Sequence, residues 1–509
     1  MKFDRKRCGT AILAVILAVV FVVSLASCGA NKADGGEEPN FANPDYLPSE
    51  ERGDGEKETT DKNKLVENPF VATAENAVST ISADVDTASY AYFRKLVNAG
   101  YSADQLSGIS VSFRTEEFIN YFRYDMEEPD GTLFAVRKDI FACPWRQSSV
   151  LLRLTMQADK AVPAEGNNLV FLIDVSGSMQ AEDKLPLLKK AFSSLTRNLT
   201  EKDRISIVTY SGKEEVVLSG CAGNRQDEIL EKINGLRAYG STNGEAGLRR
   251  AYEAAKENFI EGGNNRIIMA SDGDLNVGIS SAKELEDFIS EKRKEKIYLS
   301  VLGFGSGNYR DANMEALADN GNGVYYYIDG ESEAEKVFGS DLTGTLYTIA
   351  EDVKLQLTFD PALVASYRLI GYENRVLQKE DFTDDKKDAG EVGAGHQVTV
   401  CYELVLTEQA RASEKAWMTL AVNYKRPGEK VAVPPELYEI GAGEIRETTD
   451  ADQKFLCAVI ETCMLLHESS YLPQEASFAG VLEALETLDL SEYPERAEFR
   501  ELLRKLVNA

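Results

Sequence analysis

The sequence predicts a doubly wound, mostly parallel α/β domain inserted in a β-rich flanking domain, with a helical segment at the C-terminal end. Three observations carry this prediction. Leu169-Val170-Phe171-Leu172-Ile173 and Ile267-Ile268-Met269-Ala270 are unbroken apolar runs of strand length, as in strands buried on both faces. Helical patterns lie between such runs, and strands alternating with helices make a parallel sheet covered on both sides. Outside this region strand-like patterns return, at Leu133 to Met156 before it and at Val353 to Tyr424 after it. The first piece is too short for a stable sheet alone. Domain termini often lie near one another, so both pieces are expected to form one discontinuous β domain.

The elements follow in order. Lys2, Arg5, Lys6 and Arg7 form a positive start, and Ala11 to Val23 is an apolar run too short to be a full membrane span. Leu25-Ala26-Ser27-Cys28 then resembles the lipobox of bacterial lipoproteins, which implies cleavage before Cys28 and a diacylglycerol on its thiol. The chain would then be lipid-anchored on the extracytoplasmic face of the cell membrane. Gly29 to about Glu75 is rich in Gly, Pro, Asn and charge, and reads as a flexible acidic tether. Asp86 or Thr87 reads as the N-cap of a helix carrying Tyr90, Phe93, Leu96 and Val97, and Thr115 to Phe122 as a second helix. In the α/β region, helices are expected at Lys184 to Leu199, Asp227 to Leu236, Glu245 to Phe259, Ala282 to Lys294 and Ala312 to Ala318. A closing helix is expected at Glu333 to Ile349. Beyond Ala451 one apolar stripe holds Phe455, Val459, Cys463 and Leu466, and another Phe499, Leu502, Leu503 and Val507. The expected division is therefore 1–28 signal peptide, 29–75 tether, 76–160 N-terminal helical and β module, 165–350 α/β domain, 351–445 β-rich domain completed by strands from 133–156, and 446–509 helical segment.

Composition excludes several classes. The balance of 56 basic against 84 acidic residues gives −28, which repels phosphate backbones and argues against nucleic acid as a partner. Two histidines, His396 and His467, rule out multi-histidine zinc sites and leave little room for a Ser-His-Asp triad. No C-x-x-C pair exists among the seven cysteines, so a zinc ribbon or dithiol redox motif is not expected. Cys143, Cys221, Cys401, Cys457 and Cys463 read mostly as small buried hydrophobes.

One constellation carries chemistry. Asp174, Ser176 and Ser178 follow the first buried strand as D-x-S-x-S. Ligands of doubly wound sheets bind beyond the carboxyl ends of the strands, so this loop is where a site belongs. Thr242, in Gly240-Ser241-Thr242-Asn243-Gly244, precedes a helix, and Asp272 ends the next buried strand. Two carboxylates and three hydroxyls on three loops suit a small, hard cation. Other candidates read more plainly. Asp84 and Asp86 fit helix capping better than cation binding. His396 fits packing, Gly303 to Gly307 fits a turn after a strand, and Asp274 fits a surface charge that could tune the metal loop.

These five positions, in this order, resemble the von Willebrand factor type A domain, a Rossmann-like fold, over about Asn168 to Ile349. The resemblance implies a metal ion-dependent adhesion site. There Ser176 and Ser178 would ligate Mg²⁺ directly, Thr242 directly or through water, and Asp174 and Asp272 often through water. Mn²⁺ and Ca²⁺ are the alternative ions, and a partner protein's Asp or Glu would complete the shell. Ser82 to Tyr90, Thr115 to Phe122, Tyr367 to Arg375 and Asp388 to His396 resemble the flanking modules of a bacterial subfamily of such lipoproteins. The implied function is a membrane-anchored protein-binding module, for adhesion or scaffolding, and not an enzyme. The competing classes are a metal-dependent hydrolase and an envelope scaffold whose metal only stabilises. No G-x-S-x-G elbow is present to favour a hydrolase.

Overall fold

The computed structural model describes residues 64–160, 165–273, 282–305 and 311–509. The expected signal peptide with Cys28, the tether as far as residue 63, and Asp274 lie outside the described residues. Among the described residues, four strands precede the α/β domain: Val71–Ala72 (β1), Val78–Ser82 (β2), Phe134–Ala142 (β3) and Val150–Ala158 (β4). The domain itself holds Asn167–Asp174 (β5), Arg204–Tyr210 (β6), Glu214–Ala222 (β7), Asn264–Ser271 (β8), Tyr298–Phe304 (β9) and Tyr325–Ile328 (β10). After it come Thr348–Phe359 (β11), Val364–Ile370 (β12), Val376–Leu377 (β13), Gly390–Gly393 (β14), Gln397–Leu406 (β15), Met418–Lys425 (β16) and Glu436–Ile440 (β17).

The central sheet has the order β10-β9-β8-β5-β6-β7, parallel except for β7 at one edge. Every residue of β5 is buried, which is why its sequence is apolar without alternation. β6 lies on one side of β5 and β8 on the other, so the sheet order reverses beside the C-terminal end of β5. Helices cover both faces. On one, Leu188, Ala191, Phe192 and Leu195 of Leu185–Arg197 are buried, and the Phe192 ring stacks on Phe171 at 4.2 Å. On the other, the helix Gly244–Glu257 buries Leu248, Ala251 and Tyr252. A Cβ at Gly247 would stand 2.6 Å from the Cβ of Tyr210, so only glycine lets this helix approach the end of β6.

The flanks form two antiparallel sheets, β1-β12-β15-β4-β3 and β13-β2-β11-β16-β17, with β14 also on β11. Strand β4 pairs with β15, placing Leu154 opposite Val400 and Met156 opposite Val398. Leu152, Leu154, Val400 and Leu404 from one sheet share an apolar cluster with Ile81, Leu355, Leu357 and Leu420 from the other, as in a sandwich. The α/β domain is inserted between β4 and β11 of this sandwich. β1 and β2 also belong to it, which the sequence pattern did not show.

Three expectations are corrected. The tether was expected to reach residue 75, but Val71 and Ala72 pair with Tyr367 and Ser366. The Asn68 side chain donates to the Gly371 carbonyl at 2.7 Å, and Glu67 lies 3.5 Å from the Arg368 guanidinium. Backbone and side-chain partners therefore hold this stretch despite its polar composition. The closing helix is broken into Glu331–Glu335, the wider turn Lys336–Ser340 and Leu342–Leu346, and β11 has already begun at Thr348. Gly339 and Gly344 lower helix propensity there, and the Thr345 hydroxyl bonds back to the Val337 and Asp341 carbonyls. In the last helix, Pro494–Asn508, Leu506 is buried and Val507 is 40% exposed, so the stripe continues at 506 rather than 507.

Candidate functional site

The carboxyl ends of β5, β6 and β8 converge, and backbone hydrogen bonds join their loops. The Val175 N–H donates to the Tyr210 carbonyl at 3.0 Å, Tyr239 N–H to Val175 at 2.7 Å, and Gly177 N–H to Gly240 at 3.0 Å. The D-x-S-x-S loop is thus fastened both to the end of β6 and to the loop that carries Thr242. Asp174 is fully buried, Ser176 and Asp272 nearly so, Thr242 is half-buried and Ser178 is exposed.

Within the first loop the Ser176 N–H donates to Asp174 Oδ1 at 2.8 Å, and the hydroxyls of Ser176 and Ser178 are 3.0 Å apart. Asp174 Oδ2 is buried and makes no hydrogen bond of good geometry; the buried Tyr210 hydroxyl, itself unsatisfied, stands close enough to favour its charged form. Such an acceptor is costly unless something supplies positive charge or a proton. Burial pushes the Asp174 carboxyl up to about 6; the nearby charge of Asp272 adds to this, and the Ser176 N–H and hydroxyl oppose it. All five sequence-predicted positions sit on these three loops. Ser176 links Asp174 to Ser178, and Asp272 is close enough to Asp174 to act on its charge. Oxygen donors only, two of them carboxylates, around an unsatisfied buried oxygen fit a small divalent cation.

Sequence reading missed a sixth participant. Lys184 donates through Nζ to Asp272 Oδ2 at 2.8 Å, with 12% of the lysine side chain exposed and 0% of the aspartate's. One signal for it exists: Lys184 is the N-cap of Leu185–Arg197, where a cation opposes the helix dipole and a Ser, Thr or Asp is preferred.

Asp84 and Asp86 are neither helix caps nor ligands of this site. The N-cap residue Thr87 makes no side-chain cap bond, and Asp86 instead accepts the Tyr325 N–H at 2.9 Å. Both carboxylates face Arg375, at 3.4 and 3.5 Å, which also pairs with Glu315 at 3.1 Å and Asp319 at 2.9 Å. Arg375 thereby ties the segment before the first helix to the helix Asp311–Asn320 of the α/β domain. The flanking motifs meet as well: Glu116 is fully buried and accepts the Tyr372 N–H at 2.8 Å. His396 packs on Gly344, where a Cβ would come within 2.2 Å of its ring. His467 places Nε2 at 2.7 Å from the Phe113 carbonyl. Burial pushes both imidazoles down to about 4.

A doubly wound sheet with D-x-S-x-S beside its order reversal, and Thr and Asp on the neighbouring loops, defines a von Willebrand factor type A domain protein; the model of that domain matches residues 168–340. Two more family models match, "von Willebrand factor" over 56–153 and "Uncharacterized protein YfbK, C-terminal" over 344–508. The chain belongs to the YfbK family: it is 39% identical over 434 residues to the uncharacterized protein YfbK of Escherichia coli K12, covering 80% of this chain and 74% of that one. It is also 28% identical over 282 residues to human inter-alpha-trypsin inhibitor heavy chain H3, spanning 51% of this chain but 31% of that protein. Among solved structures, a von Willebrand factor type A protein from Catenulispora acidiphila is similar, with TM-score 0.39 and 16% identity over 67% of this chain and 80% of that one.

Proposed function

We propose that the protein is a lipid-anchored, extracytoplasmic binding module whose type A domain holds Mg²⁺ and presents it to an Asp or Glu of a partner protein. The observation that carries this reading is the buried Asp174 Oδ2, which makes no hydrogen bond of good geometry, beside the paired hydroxyls of Ser176 and Ser178. Ser176, Ser178 and Thr242 would hold the ion with neutral oxygens, and Asp174 and Asp272 would supply the negative charge. Few charged ligands leave a bound Mg²⁺ electrophilic, which is the chemistry it would supply toward an incoming carboxylate. Tyr239, at the rim, is 55% exposed although its backbone is held by Val175, and an ordered, exposed aromatic is a usual contact residue. Binding is favoured over hydrolysis because His467 bonds a backbone carbonyl and His396 packs on Gly344, so neither serves as a base at this site. The lipobox-like Leu25 to Cys28 supports the anchor.

Calorimetric titration with Mg²⁺, on the chain from residue 29 onward and on its Asp272→Ala variant, tests the site. Binding by the parent and none by the variant is expected. Undiminished affinity in Asp272→Ala would overturn the assignment. A pull-down from native membranes with and without EDTA then tests the partner: a protein retained only without EDTA is expected, and retention indifferent to EDTA counts against metal-mediated binding.

A further inference from the structure

We propose that Lys184 is a built-in competitor for the metal site, a tethered cation that neutralises Asp272 until a divalent ion displaces it. This rests on the Mg²⁺ reading above and adds a regulatory element to the same site. The Lys184 ammonium occupies Oδ2 of a carboxylate that is itself 0% exposed and the lysine side chain is 12% exposed, so the pair is largely buried. Buried ion pairs are costly to break from one side, because the remaining charge is left without compensation.

The arrangement is built around the lysine. Gly305, at φ +80, follows β9, and a Cβ there would lie 2.3 Å from Lys184 Cε and 3.0 Å from Cγ. A side chain at 305 would therefore push the lysine stem off its path to Asp272. The Tyr327 hydroxyl donates to the Gly305 carbonyl and fixes that stretch of backbone. The other end of the device lies outside the domain. Asp183, next to Lys184 in the chain, pairs with Lys95 of the helix Ala88–Asn98 at 2.8 Å. The Lys95 ammonium also stands 5.5 Å from the centre of the Tyr327 ring. One lysine of the flanking module thus grips both the loop that carries Lys184 and the tyrosine that holds Gly305.

The consequence for affinity follows from charge. Asp174 and Asp272 bring two negative charges to the site, and Lys184 cancels one of them. A divalent ion must then displace the ammonium or bind beside it, and either weakens its binding. Lys184 sets the ion concentration at which the site fills, and the Lys95–Asp183 pair makes that threshold depend on how the flanking helix sits.

The experiment is calorimetric titration with MgCl₂ on the chain from residue 29 onward, as parent, Lys184→Met and Lys184→Gln. Removing the competing charge is expected to tighten Mg²⁺ binding about tenfold, which corresponds to about 1.4 kcal/mol. In parallel, the Tm of the metal-free variants should fall while the rise in Tm on adding Mg²⁺ grows, because Asp272 loses its counter-ion. Lys184→Gln can still hydrogen-bond Asp272 and serves if Lys184→Met misfolds. Parent binding with equal or weaker affinity in the variants would overturn the competitor role and leave the site reading intact. No Mg²⁺ binding by parent and variants alike would overturn the site reading itself.

Discussion

Replacing Arg94 should cost more than any surface substitution, because its guanidinium is the buried junction of three parts of the chain. Nη2 lies 2.6 Å from Asp329 Oδ1 and 2.6 Å from Glu333 Oε2, and Nε donates to Asp329 Oδ2 at 2.7 Å. Nη1 donates to the Tyr121 hydroxyl at 2.7 Å and to Glu498 at 3.0 Å. Arg94 belongs to the first flanking helix, Asp329 and Glu333 to the end of the type A domain, and Glu498 to the last helix. The side chains of Arg94, Asp329 and Glu333 are 4%, 9% and 2% exposed. In Arg94→Met, Asp329 would keep its desolvation and lose its counter-charge, while Glu333 would keep the Tyr121 hydroxyl and the nearby Lys336; breaking a buried pair from one side costs about 3–5 kcal/mol. The contact to the more exposed Glu498 adds ~0.5 kcal/mol or less. Against a total stability of about 5–15 kcal/mol, that is a large fraction. The loss should also depend on pH. Burial already pushes the Asp329 carboxyl above its ordinary range, and removal of Arg94 would push it further. A carboxyl whose folded pKa is raised contributes stability at low pH that disappears as pH rises through that value. The deficit of Arg94→Met should therefore grow from pH 5 to pH 8. Urea unfolding followed through the two tryptophans, both buried in the flanks as Trp145 and Trp417, measures it. Arg94→Lys should recover less than half of the loss, since an ammonium cannot fork across both carboxylates. A deficit below about 1 kcal/mol at pH 8, far under the buried-pair range, or one that is equal at pH 5 and pH 8, would refute the reasoning.

Two further outcomes are expected. Glu461 is half-buried on the helix Ala451–Leu466, and burial pushes its carboxyl up to about 7 from the usual 4.5. Because the folded pKa is raised, the parent should lose stability between about pH 4.5 and 7, and Glu461→Gln should be flatter over that window and more stable by about 1 kcal/mol at pH 8, after discounting for partial exposure. Urea midpoints across pH check this, and parallel pH profiles would refute it. Cys28→Ala should abolish labelling by a fatty-acid analogue and leave the precursor uncleaved; equal label in variant and parent would sink the lipoprotein reading.

How much of this was legible in the sequence depended on whether the signal was local. Strands β5 and β8 announced themselves because central parallel strands are apolar throughout. The five candidate metal positions were legible because each falls immediately after a recognisable strand or before a helix. The small strands β1 and β2 were not: they have two and five residues, and their identity comes from Tyr367 and Leu355 across the sheet, far away in the chain. Composition misled in the same place, since Glu67 and Asn68 look like tether residues until Arg368 and Gly371 are beside them. The closing helix failed for a related reason. Its apolar spacing is helical, but His396 and Gly393 pack on Gly344, and that contact is set by the β domain.

The same distinction explains why the charged junctions were invisible. Arg94, Glu116, Lys184 and Arg375 each look like ordinary surface charges in their local sequence, and Asp84 and Asp86 like helix caps. What makes Asp86, Arg94 and Arg375 structural is insertion. A type A domain placed between β4 and β11 must be fixed at both ends, and the fixing groups come from the segments before and after it. Arg375 reaches the type A domain from beyond β12, Arg94 and Lys95 from the first flanking helix, and all three find carboxylates there. Apolar contact alone would allow the inserted domain to slide, whereas fork-shaped arginine pairs with two-oxygen acceptors fix direction as well as distance. Two of these pairings fall close to the candidate site: Lys95 holds Asp183 beside the lysine on Asp272, and Asp329, held by Arg94, follows the strand that carries Tyr327. Movement of the inserted domain relative to its host would strain or break the Lys95–Asp183 pair next to Lys184. Conversely, an ion that displaced Lys184 from Asp272, as proposed, would act on a residue whose chain neighbour Asp183 is bonded to the host.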